Sequence, residues 1–186
     1  MDISEILAID PIIAAVRNQD RLKAALMAPV RVIFLLHGNI CALADTIKSI
    51  KDADKMVFVH LDLIDGLGRD QAAVQYMADY IKPDGIITTH NNLARYAKDS
   101  GLLIIQRIFL LDSMSLDRGI SGIGQTGPDA VEILPGTLPR EIAYCHTRLL
   151  CPIIAGGLIR TKDDIIAALN AGAMAVSTSD ETLWEA

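Results

Sequence analysis

Two stretches decide how this chain reads: Ala155-Gly156-Gly157-Leu158-Ile159-Arg160-Thr161 and Val176-Ser177-Thr178-Ser179-Asp180. Each closes a short apolar run with glycines or hydroxyl side chains. The first leads into Asp163–Ala171, a segment with mixed apolar and polar faces. An apolar run, a Gly-rich turn and an amphipathic helix together mark a strand of a parallel sheet covered on both faces. Glycines let backbone N–H groups approach an anion closely, and Ser and Thr hydroxyls add donors. A short helix starting near Asp180 would add N-terminal amides and the positive end of a dipole.

Outward from these stretches the same pattern recurs. Pro11–Val16, Arg31–Leu36, Met56–Leu61, Gly85–Thr88, Leu102–Phe109, Ala130–Leu134, Cys151–Ala155 and Ala173–Ser177 read as strands. Asp20–Met27, Ile40–Lys51, Arg69–Ile81, Leu93–Lys98, Leu138–Tyr144 and Asp163–Ala171 read as helices between them. Ser113–Ile123 is the weakest helix of the series, because Gly119 and Gly122 interrupt it. Strand–helix alternation implies βαβ crossovers. The expected fold is α/β: a compact, single-domain (β/α)8 TIM-type barrel over residues 1–186. Barrels of this kind usually need ~250 residues, so some helices must be short or missing. An open, doubly wound sheet is the alternative, since alternation does not reveal closure.

In a closed barrel the loops after the seventh and eighth strands form the common phosphate site. Gly156, Gly157, Ser177, Thr178 and Ser179 are therefore the candidate phosphate-binding residues. A purely mechanical reading gives Gly156-Gly157 a tight turn and makes Ser179 a helix cap. Thr161 with Asp164 reads as a capping box.

The composition fits this architecture. The chain is 51% hydrophobic but only 4% aromatic, so Ile, Leu, Val and Ala must fill the core. Its mean hydropathy is +0.34. The formal net charge of −6 argues against broad binding to nucleic acid or anionic membranes, though not against a local basic site. The three cysteines form no C-x-x-C and suit buried free thiols in a reducing compartment. The longest oily segment, Gly101–Leu111, is broken by Gln106 and Arg107 and is too short to span a membrane. Asp2 and Glu5 leave no basic n-region for a secretory signal. The expected location is the cytoplasm.

Further polar groups fall at strand ends. Alternation places Phe58, His60 and Asp62 on one face, with Asp62 at the carboxyl end, fit to bind hydroxyls or act as a base. His60 lies deeper and reads more simply as a core histidine. Asp65-Gly66 reads as a turn. Arg107, inside an apolar strand, needs a partner, and Glu132 on the next strand is the natural one. That pair either stabilises the interior or frames a ligand pocket. Arg17, Asn18, Thr88, Thr89, His90 and Asn91 complete a polar rim, so Arg17, Asp62, Thr88, Arg107 and Glu132 join the candidate ligand pocket. No P-loop, Rossmann fingerprint, H-E-x-x-H or zinc spacing occurs, so neither a metal nor an organic cofactor is expected. Gly122-Ile123-Gly124 fits no strand-to-helix turn.

An ordered series of blocks resembles the glycerol-uptake operon antiterminator regulatory proteins. It starts with Ala15-Val16-Arg17-Asn18, Val59-His60-Leu61-Asp62-Leu63-Ile64-Asp65-Gly66 and Lys82-Pro83-Asp84-Gly85-Ile86-Ile87-Thr88-Thr89. It continues with Gln106-Arg107-Ile108-Phe109-Leu110-Leu111-Asp112-Ser113 and Glu132-Ile133-Leu134-Pro135-Gly136. It ends with Ala155-Gly156-Gly157-Leu158-Ile159 and Ser177-Thr178-Ser179, then Leu183-Trp184. The resemblance implies a TIM-barrel regulator that responds to glycerol 3-phosphate and acts on leader mRNA to prevent premature termination. It also implies that the chain is no enzyme. Arg95, Lys98, Arg107, Arg118 and Arg160 are the basic residues such an RNA would find, and a homo-oligomer is compatible with the sequence. The competing function is an isomerase or lyase on a small phosphorylated substrate, with Asp62 and Glu132 as its acid/base pair. Phosphate loops serve either equally.

Overall fold

The computed structural model describes residues 3–185. Eight parallel strands, each hydrogen-bonded to the next, close into a barrel. They are β1 (Ile12–Val16), β2 (Val32–Leu35), β3 (Met56–His60), β4 (Gly85–Thr88), β5 (Leu103–Phe109), β6 (Ala130–Leu134), β7 (Ile153–Gly156) and β8 (Ala175–Thr178). Closure is made by β1, which pairs with both β2 and β8, and this rules out the open sheet.

The helices are α1 (Ile3–Ile9), α2 (Gln19–Met27), α3 (Ile40–Asp52), α4 (Gln71–Tyr76), α5 (Asn91–Asp99), α6 (Ser113–Thr126), α7 (Pro139–His146) and α8 (Lys162–Asn170). The expected helix over Arg69–Ile81 begins later, where the Asp70 side chain accepts from Ala73 N. It ends as a π-helical turn over Met77–Ile81. The expected shortage of helices falls at the end: after β8 there is only a 3₁₀ turn, Glu181–Leu183, among the described residues. Asp180, not Ser179, caps that turn.

The weakest expected helix turns out complete. Asp112 and Ser115 form a capping box at its start, and Gly127 at φ 57° ends it. Gly119 lets α6 lie close to β5, because a Cβ there would come 3.3 Å from Ile108 Cδ1. Gly122-Ile123-Gly124 lies inside this helix. The capping box of Thr161 and Asp164 is present at α8.

Strand side chains divide into two layers. Val16, Leu35, Val59, Ile86, Ile104 and Ile133 face the helices. Ile13, Val32, Phe34, Phe58, Ile87, Ile105, Ile154 and Ala175 fill the interior. Phe34 and Phe58 meet edge to face with centroids 6.0 Å apart. Gly85 leaves room for that ring, since a Cβ there would stand 2.6 Å from Phe58 Cε1. The interior cluster also holds Ile3, Ile6 and Leu7 of α1, which stopper the barrel at the amino ends of the strands. The strand reading overlooked this helix, although Ile3, Ile6 and Leu7 carry the i, i+3, i+4 spacing of an apolar helix face.

Candidate functional site

Closing the bottom leaves the carboxyl ends of the strands as the open mouth. At its centre lies a buried network spanning four strands. The β5–β6 register sets Arg107 beside Glu132. Arg107 Nε donates to Glu132 Oε2 at 2.6 Å, and Ser177 Oγ donates to Oε1 at 2.6 Å. Glu132 is 1% exposed and Arg107 8%. Gly156 of β7 sits against this network, because a Cβ there would meet Glu132 Oε1 at 2.4 Å and Ser177 Oγ at 2.6 Å. The expected Arg107–Glu132 pair is thus present, and Gly156 makes room for it. Gln106, one residue before Arg107, points the other way: its side chain donates to Asn91 and accepts from Thr126.

Arg107, Glu132 and Ser177 line an inner cavity of about 50 Å³ together with Arg17, Gly157, Leu158, Ile159, Thr178 and Ser179. Arg17, Leu158, Ile159 and Ser179 are shared with a wider cleft of about 570 Å³, to which Arg21, Arg160, Asp180, Glu181 and Thr182 contribute. The backbone is strained at Leu158, which lines both the cavity and the cleft. It has φ 62°, following Gly157 at φ 74°, and a bulky residue in the left-handed region is an outlier that invites a functional reason. Thr178 fastens the loops together: its hydroxyl donates to Ile159 O at 3.2 Å and accepts from Asp180 N at 3.1 Å. The Trp184 indole donates to the carbonyl of Thr178 at 2.9 Å. Arg21 donates to the carbonyl of Ser179 and lies 3.5 Å from Glu181.

The five candidate phosphate residues therefore divide by position. Ser179 lines both the cavity and the cleft, Gly157 lines the cavity, Ser177 is bonded to Glu132, Thr178 ties one loop to the next, and Gly156 clears space behind them. Arg21, which no motif singles out, stands in the first turn of α2 and lines the cleft with Arg17, which lies between β1 and the Asn18 cap. Arg160, among the basic residues an RNA would find, also lines the cleft. Arg107 is withdrawn from any RNA surface by burial and pairing.

A second cluster gathers around Asp62, which a 3₁₀ turn, Leu61–Leu63, places beyond β3. Thr88 Oγ1 donates to Asp62 Oδ2 at 3.4 Å, and His60 Nδ1 lies 3.7 Å from the same oxygen. His90 Nε2 and Arg69 Nε lie 3.4 and 3.7 Å from Oδ1. Asp62 Oδ1 and His60 Nδ1 are buried and have no hydrogen-bond partner. Nothing in the sequence spacing singled out Arg69. Among the described residues no three His, Cys, Asp or Glu side chains are grouped to hold a metal, and no helix is long and apolar enough to cross a membrane.

Burial, aided by the positive charge of Arg107 and opposed by Asp62, pushes the His60 pKa down to about 4. An unfolded histidine titrates near 6.5. As the pH falls, the unfolded chain takes up this proton before the folded one does. His60 therefore contributes stability that is full above pH 6.5, declines towards pH 4 and levels off below. The loss across that window is about 3 kcal/mol. His60→Gln should flatten this part of the profile, as read from urea midpoints between pH 7 and 4; an unchanged slope would contradict the assignment.

Residues 12–184 match the model of a family described as glycerol-3-phosphate responsive antiterminator. A glycerol uptake operon antiterminator regulatory protein from Listeria monocytogenes is 36% identical, with a TM-score of 0.91 over 94% of each chain. An antiterminator-related protein from Thermotoga maritima is 34% identical, with a TM-score of 0.85 over 95% of this chain and 99% of that one. The uncharacterized protein YgcP of Escherichia coli K12 is 34% identical across 99% of this chain and 96% of its own length. An orotidine 5'-phosphate decarboxylase from Pyrococcus horikoshii, 19% identical with a TM-score of 0.70, shares the fold alone. The chain belongs to the glycerol-3-phosphate responsive antiterminators, a family of regulators.

Proposed function

We propose that this protein senses glycerol 3-phosphate at the mouth of the barrel and, with the metabolite bound, acts on leader mRNA in the cytoplasm to prevent termination in glycerol-utilisation operons. The observation that carries the ligand half is the cleft: Arg17, Arg21 and Arg160 line it with Leu158 and Ser179, and Gly157 lines the inner cavity that shares Arg17, Leu158 and Ser179 with it. Guanidinium groups suit phosphate because they present planar, paired donors. The phosphate sits over the Gly157-Leu158 turn, and the glycerol end reaches inward towards Arg107 and Asp62.

The same geometry disfavours the enzyme reading. Glu132 holds Arg107 with one oxygen and Ser177 with the other, so it has no free oxygen with which to serve as a general base beside Asp62. Gly157→Asp tests the seat, since it puts a carboxylate where the anion would lie. Like charges in contact cost several kcal/mol, so affinity for glycerol 3-phosphate should fall by about 100-fold or more. Calorimetric titration of a variant whose circular dichroism matches the parent reads this, and unchanged affinity would remove the site. Leader RNA binding should change with ligand by the same factor as ligand binding changes with RNA.

A further inference from the structure

The proposed phosphate seat takes one side of the mouth. On the other side, two buried polar atoms, Asp62 Oδ1 and His60 Nδ1, make no hydrogen bond in the protein; Asp62 Oδ1 has only the looser approaches of His90 Nε2 at 3.4 Å and Arg69 Nε at 3.7 Å, both on exposed side chains. Buried polar atoms are nearly always hydrogen-bonded, so an orphan calls for a ligand or an ordered water. The two sides meet at Arg107. It lines the inner cavity from β5, next to β4, whose last residue Thr88 donates to Asp62.

We propose that Asp62, with His60 beside it, recognises an uncharged hydroxyl at the ligand end remote from the phosphate, and so selects hydroxyl-terminated phosphate esters over carboxylate-terminated ones. This rests on the phosphate seat proposed above. An ionised carboxylate only accepts, so Asp62 Oδ1 requires a donor. A hydroxyl donates to it, whereas a ligand carboxylate has no proton to give and brings a like charge. Glu132 cannot take this part, because both of its oxygens are engaged. A neutral imidazole has one donor and one acceptor nitrogen, so His60 can complete the bonding of the same hydroxyl without adding charge. Arg69 does not reverse the selection. Its side chain is 64% exposed, and a second nitrogen is tethered to the Asp62 carbonyl at 3.2 Å, so water screens it from the interior.

The test uses two esters of equal carbon length, glycerol 3-phosphate and 3-phosphoglycerate, which differ at the terminal carbon, together with inorganic phosphate. The wild-type chain should prefer glycerol 3-phosphate over 3-phosphoglycerate by about 100-fold or more. Asp62→Asn is nearly isosteric. It should weaken glycerol 3-phosphate by about tenfold, strengthen 3-phosphoglycerate and leave inorganic phosphate unchanged, in calorimetric titrations of protein with an unaltered melting temperature. Equal wild-type affinity for the two esters overturns the proposal, even if no variant can be purified. So does an unchanged preference in Asp62→Asn. If all three probes bind without discrimination, the selectivity falls and the phosphate seat stands. If none binds, the seat falls and takes the selectivity with it.

Discussion

Glu132→Ala should lower the unfolding free energy by about 3–5 kcal/mol, the cost of leaving a buried charge without its partner. Arg107 is 8% exposed, and its Nε bond to Glu132 at 2.6 Å is its one ion pair among the described residues. Truncation also deprives Ser177 Oγ of its acceptor. Nearly all the loss should appear as a lower urea midpoint with an unchanged slope. Glu132→Gln should cost less, because an amide oxygen still accepts from Arg107. The double variant Arg107→Met with Glu132→Leu should recover much of the stability, since apolar replacement of a buried pair is often neutral or better. A Glu132→Ala protein within about 0.5 kcal/mol of its parent, the range typical of surface changes, would show that the buried pair does not hold the barrel interior together.

Gly156→Ala should be the second most damaging change, although alanine is small and Gly156 is not in the left-handed region. Its Cβ would stand 2.4 Å from Glu132 Oε1 and 2.6 Å from Ser177 Oγ, and neither group is free to retreat. Glu132 is held by Arg107, and Ser177 runs directly into the Thr178-Ser179 loop. Overpacking costs about 1–3 kcal/mol, and a displaced buried hydrogen bond about 1–3 kcal/mol more. For a chain of this size that corresponds to roughly 5–15 °C in Tm. Glycerol 3-phosphate binding should weaken as well, because the serine that carries the loop must shift. Calorimetric melting and titration of the same sample read both effects; a Tm within about 2 °C of the parent, under 1 kcal/mol for this size, would refute the clash.

These two sites also show how far the sequence could be read. The strands stood out because each is an uninterrupted apolar run bounded by turn residues, and burial on both faces leaves no other use for such runs. Closure did not stand out, since the pairing of Ile13 with Ser177 joins opposite ends of the chain. Gly156 and Gly157 look alike in sequence and act differently. Gly157 is needed for its φ of 74°, whereas Gly156 is needed for the side chains of two other strands. A backbone requirement is local and can be guessed from a turn; a space requirement depends on partners that only the fold assembles. Arg107 and Glu132 were legible together because a charge inside an apolar strand demands a partner. Around Asp62, Thr88 and His90 were legible as rim residues, but not that they meet Asp62 there. Arg69 and His90 reach it from the loops after β3 and β4, whose paths carry no periodicity.

The stopper formed by α1 makes the barrel a vessel with one opening. Ile3 and Leu7 are wholly buried among the interior side chains, so among the described residues the way out beneath the network of Arg107 and Glu132 is plugged. A small molecule held at the carboxyl ends of the strands must leave by the way it came. Any macromolecule that covers the mouth therefore imposes an order on events: the metabolite enters first and departs last. Its residence time is then set by how long its cover stays in place rather than by its own affinity.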